Sequence, residues 1–179
     1  MQNQYVAFMR AINLGKRTVK REQFIEIFSS LGFTKVEPFL ASGNVIFQTD
    51  QLASAELETL ISNELEQALG FEVACFLRDL PQLEEIAARN PFSPHQVEHS
   101  ITFCVALMKR ELDEAAREAV DRLRTDEEFF QPVGRELHWI SKVRASETKI
   151  TIKMLEKAVG GPLTIRGVNT IRRLCEKLR

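Results

Sequence analysis

The sequence predicts an α+β protein made of two tandem ferredoxin-like (βαββαβ) subdomains with an extra C-terminal helix. Two observations support this prediction. Short β-rich runs alternate with amphipathic helical stretches in the first half of the chain, and the same order of elements returns roughly 95 residues later as an internal repeat. A unit of this order, with two split βαβ crossovers, forms an antiparallel sheet that two helices cover on one face.

The first subdomain, with the helix that follows it, is predicted over residues 1–89. A β-rich run, YVAFMRAIN, is followed by a helix in REQFIEIFSSLGF, where apolar residues recur at helical spacing up to Gly32. Two β runs, VEPFL and NVIFQ, flank a hairpin turn at ASG. An amphipathic helix over residues 52–69 and the strand FEVACFLR complete the unit, and the helix DLPQLEEIAARN leads out of it.

Residues 90–99 are predicted to form a linker, because prolines and polar residues occur there without periodicity. The second subdomain is predicted over residues 100–179. Its strands are SITFCVALM, the pair EFFQPV and ELHWISKV, which turns at Gly134-Arg135, and the weak strand PLTIR. Its helices are ELDEAAREAVDRL, KITIKMLEKAVG and the terminal VNTIRRLCEKL.

The composition, with 44% hydrophobic and 27% charged residues over 179 positions, is that of a globular protein. The N-terminus has no basic region before its short apolar run, and no apolar stretch approaches the ~20 residues that a membrane helix needs. We therefore expect a cytoplasmic protein with no membrane partner. Cys75, Cys104 and Cys175 lie in apolar runs without CxxC spacing and are predicted to be buried free thiols.

Charge is unevenly distributed along the chain. The net charge is +4 over residues 1–35, −12 over 36–141 and +7 over 142–179. A positive face therefore requires the fold to bring the two ends together. His95 and His99 are four residues apart, but no third ligand follows at useful spacing, so we interpret them as linker histidines. The sequence indicates no metal, no cofactor and no particular oligomeric state.

Two segments carry a resemblance to a known family. FMRAINLGKRTVKREQFIEIFSSLGFTKVEPFLASGNVIF and LTIRGVNTIRRLCEKL resemble the bacterial family called domain of unknown function 1697. Its members typically read LRGINVGG, then a helix ending LGF, then SGNVxF, and close with TRNWNTVxKL. The resemblance implies a pair of ferredoxin-like subdomains and brings no established reaction. The family's polar motif residues fall on Arg10, Asn13, Gly15, Ser42, Gly43, Asn44, Lys149, Arg166, Asn169 and Thr170.

The chain departs from the family pattern at four positions. Ala11 replaces the usual Gly, Lys16 the second Gly, and Gly167-Val168 the Asn-Trp pair. The lost tryptophan removes any stacking role at that position, and the bulkier N-terminal loop narrows the expected site.

The motif residues are hydrogen-bond donors and cations, which suit phosphate or carboxylate. The motifs contain no carboxylate or histidine, so general acid/base catalysis lacks its usual groups. We predict a polar cleft between the subdomains that binds a small anionic, phosphate-bearing ligand. Its lining would be the exit of the first strand, the Ser-Gly-Asn turn and the C-terminal Arg-x-x-Asn-Thr segment. We expect Arg10→Ala or Arg166→Ala to abolish binding with little loss of stability.

Other functions remain open at this point. The basic ends suit a nucleic-acid-binding module, although Tyr5 and Phe8 face opposite sides of the first strand and no RNA-recognition signature is present. An enzyme that orients an anionic substrate, with Lys149 or Arg166 stabilising charge, is another alternative. The last alternative is a protein with a purely structural role or one that only binds other proteins.

Each motif also has a structural explanation. The Ser-Gly-Asn segment suits a hairpin turn, because Gly and Asn tolerate positive φ. Arg10 suits an inter-domain ion pair, and Asn169 and Thr170 suit helix capping. Lys149 is predicted to open a helix, where a cation does not help the dipole. His138 and Trp139 are neighbours on an alternating strand, so one should face the core, and Trp139 is interpreted as packing.

Overall fold

The structure is a computed structural model that describes residues 2–10, 12 and 18–179. The chain divides into two compact units, residues 1–82 and 83–179. The segment predicted as a linker, 90–99, belongs to the second unit and contains a short helix.

The first unit has an antiparallel sheet of order β2-β3-β1-β4 in the described residues. Its elements are β1 (Asn3–Met9), α1 (Arg21–Ser30), β2 (Thr34–Phe39), β3 (Asn44–Thr49), α2 (Ala55–Leu69) and β4 (Cys75–Asp79). Helix α3 (Leu80–Ala88) begins directly after β4.

Local sequence explains where the first helices end. Helix α1 stops before Gly32, which has a positive φ of 80° that other residues rarely adopt. Helix α2 is capped at its start by Ser54, whose hydroxyl accepts a hydrogen bond of 3.2 Å from the Leu57 backbone N–H. At its other end, the C-cap residue Gly70 has the left-handed conformation.

Both helices pack on one face of the first sheet. The core on that face contains an aromatic group around Phe47, whose ring centroid lies 4.6 Å from that of Phe33 and 5.3 Å from that of Phe28. Tyr5 belongs to this core, while Phe8 is fully buried outside it, so the two side chains face opposite sides of β1. These rings are packing groups and do not form an exposed platform for RNA bases.

The second unit has an antiparallel sheet of order β6-β7-β5-β8 in the described residues. Its elements are α4 (Pro94–Val97), β5 (Thr102–Met108), α5 (Glu114–Asp121), β6 (Glu128–Val133), β7 (Glu136–Ser141), α6 (Ile152–Val159), β8 (Leu163–Gly167) and α7 (Val168–Leu178).

The alternation of strand residues gives the second sheet two distinct faces. Ala106 and Trp139 point into the core, where Trp139 stacks on Phe130 with centroids 5.5 Å apart. His138 faces the other side, as the alternation predicts, and its Cα partner across the sheet is Val105. Phe103, two residues before Val105 on β5, therefore lies on the same face as His138.

The α+β class is confirmed, with two four-stranded antiparallel sheets and seven helices among the residues that the structure describes. Cys75 and Cys175 are buried free thiols, as predicted, whereas Cys104 is only partly buried. Within the described ranges, none of the helices has the length and apolar character needed to cross a membrane.

Candidate functional site in the second unit

A cavity of about 530 Å³ opens on the face of the second sheet that carries His138 and Phe103. Its wall is built from the segment that follows α3, from the beginning of β5, from β7 and from the start of α7. Cavities of this size are typical of sites for small molecules.

The floor of the cavity is apolar. Ile140 is buried, with 3% of its surface exposed, and its Cα partner in the sheet is Phe103. Phe103 keeps 42% of its surface exposed and Ile101 keeps 59%, although both are large hydrophobic residues. The cavity thus contains an apolar surface that protein atoms leave accessible.

Two arginines, Arg89 and Arg172, also line the cavity. Arg172 projects from α7, and its Nη1 donates a hydrogen bond of 3.2 Å to Asn169 Oδ1. Arg89 follows α3, and its Nη2 lies 3.8 Å from Glu85 Oε2, a distance that indicates a loose, exposed ion pair. The lining therefore combines positive charge with apolar surface.

The N-terminus of α7 also borders the cavity. Gly167 is the N-cap residue, and in the described part of the chain no side chain accepts a hydrogen bond from the first N–H groups of the helix. Asn169 and Thr170 lie inside the first turn, so the interpretation that they cap the helix is wrong. Uncapped N–H groups and the helix dipole give this end a partial positive charge.

His138 is the buried polar group of the cavity. Only 3% of its surface is exposed, and no described residue forms a hydrogen bond with its imidazole nitrogens. Burial, with a smaller contribution from the nearby Arg89 guanidinium, lowers the pKa of His138 to about 4. The ring is therefore neutral at neutral pH, with one nitrogen that donates and one that accepts.

The Ser-Gly-Asn segment forms a turn with internal hydrogen bonds. Asn44 is 1% exposed, and its Nδ2 donates to Ser42 Oγ at 2.8 Å and to the Phe39 carbonyl at 3.0 Å. Gly43 has a φ of 73°, and a Cβ added there would lie 3.1 Å from Ile12 Cβ, so the turn requires glycine. The Asn44 amide thus stabilises the turn.

The backbone brings Arg10 next to this turn. The Met9 N–H donates to the Gly43 carbonyl at 2.8 Å, and the Arg10 N–H donates to the Ala74 carbonyl at 2.9 Å. Asn13 and Gly15 lie outside the described residues. The cleft shared by these residues and the C-terminal segment stays a prediction.

Lys149 lies outside the regular helix that follows it. Helix α6 begins at Ile152, and its N-cap is Thr151, whose hydroxyl accepts from the Met154 backbone N–H. The prediction that Lys149 opens a helix is therefore wrong. Lys149 lines a second cavity of about 470 Å³ together with acidic residues such as Glu147, separate from the cavity that Asn169 lines.

Arg166 is a buried side chain of β8, with 7% of its surface exposed. Its Nη1 donates to Thr164 Oγ1 and to the Ile165 carbonyl, both at 2.8 Å. Burial lowers the pKa of Arg166 to about 10, which leaves it charged at neutral pH. Arg78 is its counterpart in the first unit: it is fully buried on β4 and donates to the carbonyl of the residue before it.

Arg166→Ala is expected to lower the free energy of unfolding by about 2 kcal/mol, because the buried Thr164 hydroxyl and the partly buried Ile165 carbonyl lose their donor. This differs from the sequence-based expectation of little loss, which ignored burial. Urea denaturation checks it, with the exposed Arg172→Ala as the control for loss of one positive charge. Equal stability of the two variants would contradict the structural role.

Sequence reasoning found Asn169 but missed Arg89, Phe103, His138 and Arg172 as neighbours in one cavity. The strand alternation in ITFCV and ELHWIS was a usable signal, because it places Phe103 and His138 on one face once their strands pair. The buried Arg78 of the first unit could also have been found from sequence. It occupies the third position of FLR in β4, as Arg166 does of TIR in β8, so the internal repeat pairs the two arginines.

Comparisons with known proteins give a family and a fold. A family model described as "Protein of unknown function (DUF1697)" matches residues 2–138. No curated protein matches the chain significantly in sequence. The solved structure of the conserved bacterial protein SP0830 from Streptococcus pneumoniae is similar, with a TM-score of 0.78, 20% sequence identity and coverage of 99% of each chain. At this identity the similarity concerns the fold alone.

Proposed function

The chain belongs to the DUF1697 family, and we propose that it binds a small phosphate-bearing ligand in the cavity of the second unit, with the phosphate at the N-terminus of α7. The observation that carries the proposal is the uncapped start of α7 with Arg172 and Arg89 in the same cavity. Backbone N–H groups and the helix dipole favour an anion at such a position.

The side chains around the helix start support a phosphate in particular. An arginine offers paired N–H donors that match two phosphate oxygens. Arg172 donates to Asn169, which is the second residue of α7, so its guanidinium is directed toward the start of the helix. Arg89 adds a second charge, and its exposed pair with Glu85 is weak enough to exchange for a ligand.

The topology of each unit, the location of the protein and the alternative functions are also matters of proposal. The element order βαββαβ and the sheet order β2-β3-β1-β4, repeated as β6-β7-β5-β8, support a ferredoxin-like topology for each unit. We keep a cytoplasmic location as a prediction. Nucleic-acid binding through the basic ends is the alternative function, and an enzyme that orients an anionic substrate is a further one.

Arg172→Ala is expected to weaken binding of ribose 5-phosphate by about tenfold, since a charge-assisted contact to phosphate is lost. Isothermal titration calorimetry of the full chain measures it. Arg173→Ala is the matched control, because it removes the same charge from the same helix outside the cavity lining. An equal loss in both variants would indicate nonspecific attraction and defeat the proposal, as would the absence of binding to the unmodified protein.

A further inference from the structure

We propose that the phosphate-bearing ligand is a free mononucleotide, whose base lies against Phe103 and meets His138 at its edge while its phosphate lies at the start of α7. This inference rests on the proposed function and adds the chemical class of the ligand. Three features of the cavity carry it: an exposed aromatic ring, an imidazole without a hydrogen-bond partner in the described residues, and a helix start that lines the same cavity.

Phe103 provides a surface for stacking. It lies on the central strand β5 inside the cavity and keeps 42% of its surface exposed. Its Cα partner Ile140 is buried beside it, so the two side chains extend one apolar surface. Aromatic side chains attract the faces of nucleobases, and this stacking tolerates any base because every base has a π-face.

His138 offers polar ring atoms to the cavity. Only 3% of the residue is exposed, and no hydrogen bond from a described residue reaches its imidazole. Its ring nitrogens keep accessible surface, so they can bond to water or to a ligand in the cavity. A neutral imidazole offers one donor and one acceptor, and the edge of a nucleobase carries groups of both kinds.

The stacking surface and the phosphate position are close enough for one small molecule. Gly167, the N-cap of α7, is the Cα partner of Cys104 across β5 and β8. A Cβ built on Gly167 would lie 4.0 Å from the Phe103 carbonyl oxygen. The start of α7 thus lies beside the backbone of Phe103, and both residues line the same cavity. A cavity of about 530 Å³ has room for the phosphate and the base of one nucleotide.

The test compares AMP with ribose 5-phosphate by calorimetry on the full chain. The two probes share the phosphate and the sugar and differ in the base, so we expect AMP to bind about tenfold more tightly. Phe103→Ala should remove this difference and leave ribose 5-phosphate affinity unchanged, and Phe103→Trp should keep it. Ile152→Ala, which shortens an exposed apolar residue outside the cavity, is the control.

The outcomes separate this inference from the proposed function. Equal binding of AMP and ribose 5-phosphate would overturn the nucleotide assignment and leave the phosphate site standing. Loss of affinity for both probes in Phe103→Ala, with a folded circular-dichroism spectrum, would also overturn it, because the ring would then be supporting the site. If a single-stranded oligonucleotide of about ten nucleotides binds more tightly than AMP, and its affinity falls steeply with salt, the ligand is a nucleic-acid strand and the assignment of a free mononucleotide is wrong.

Discussion

Gly167→Asp is expected to weaken ribose 5-phosphate binding by about a hundredfold, or about 3 kcal/mol, while slightly stabilising the protein. An aspartate at the N-cap accepts hydrogen bonds from the first N–H groups of α7, which are the groups that we assign to the phosphate. Its carboxylate would also repel the anion. The substitution is sterically allowed, because Gly167 has φ −64° and ψ 141° and space beside it for a Cβ.

Two further variants separate the effects of capping and charge. Gly167→Asn caps the helix without adding charge, so we expect an intermediate loss of affinity. Gly167→Ala neither caps nor charges the helix end and should bind as the unmodified protein does. Calorimetry measures affinity, and thermal denaturation measures the gain of a few tenths of a kcal/mol that capping brings. If Gly167→Asp binds ribose 5-phosphate normally, the phosphate does not lie at this helix.

The opposite effects on stability and affinity distinguish a binding role of Gly167 from a structural one. Most substitutions that abolish binding by disrupting a fold also destabilise it. A natural cap is present at α2, where the Ser54 hydroxyl accepts from the Leu57 N–H, and at α6, where Thr151 does the same for Met154. Helix α7 lacks this feature in the described structure, at the end that borders the cavity.

The elements were predictable from sequence because their periodicity is strong. The terminal helix was predicted in VNTIRRLCEKL and spans Val168–Leu178, and its buried residues Ile171, Leu174 and Cys175 follow helical spacing. The glycine at the end of α2 was a reliable stop, because the left-handed conformation that it adopts is rare for other residues.

The site was less predictable because burial and pairing decide which polar side chains face a cavity. The sequence does not distinguish Arg166 from Arg172 as a ligand contact. In the structure, Arg166 donates hydrogen bonds to other residues of β8, whereas Arg172 lines the cavity. Asn44 has the same amide as Asn169, but its donor is committed to the turn. Phe103 and His138 become neighbours only through the register of β5 and β7.

The free energy of unfolding is expected to decrease as the pH falls from about 6.5 to about 4, and His138 is expected to contribute part of this decrease. The pKa of His138 in the folded protein is about 4, lowered by burial and then by the Arg89 charge, whereas an unfolded histidine has a pKa near 6.5. Between these values the unfolded state binds more protons, so stability rises with pH and the stabilising difference is lost on acidification. The shift corresponds to at most about 3.4 kcal/mol.

The variant His138→Phe isolates this contribution from that of the carboxylates. Urea denaturation at pH 7.5, 6.0 and 4.5 should show a shallower pH dependence for His138→Phe than for the unmodified protein. The exposed His95→Gln is the control for removal of a histidine and should leave the slope unchanged. Parallel curves for all three proteins would mean that His138 titrates normally.

Ligand binding should act on the same titration. A phosphate beside Arg89 offsets the positive charge that helps to lower the pKa of His138. We therefore expect the pKa of His138 to rise when AMP binds, with uptake of protons by the complex. The chain has three histidines, so their nuclear magnetic resonance titrations can be assigned by the two histidine variants. An unchanged His138 pKa in the presence of saturating AMP would place the ligand away from this ring.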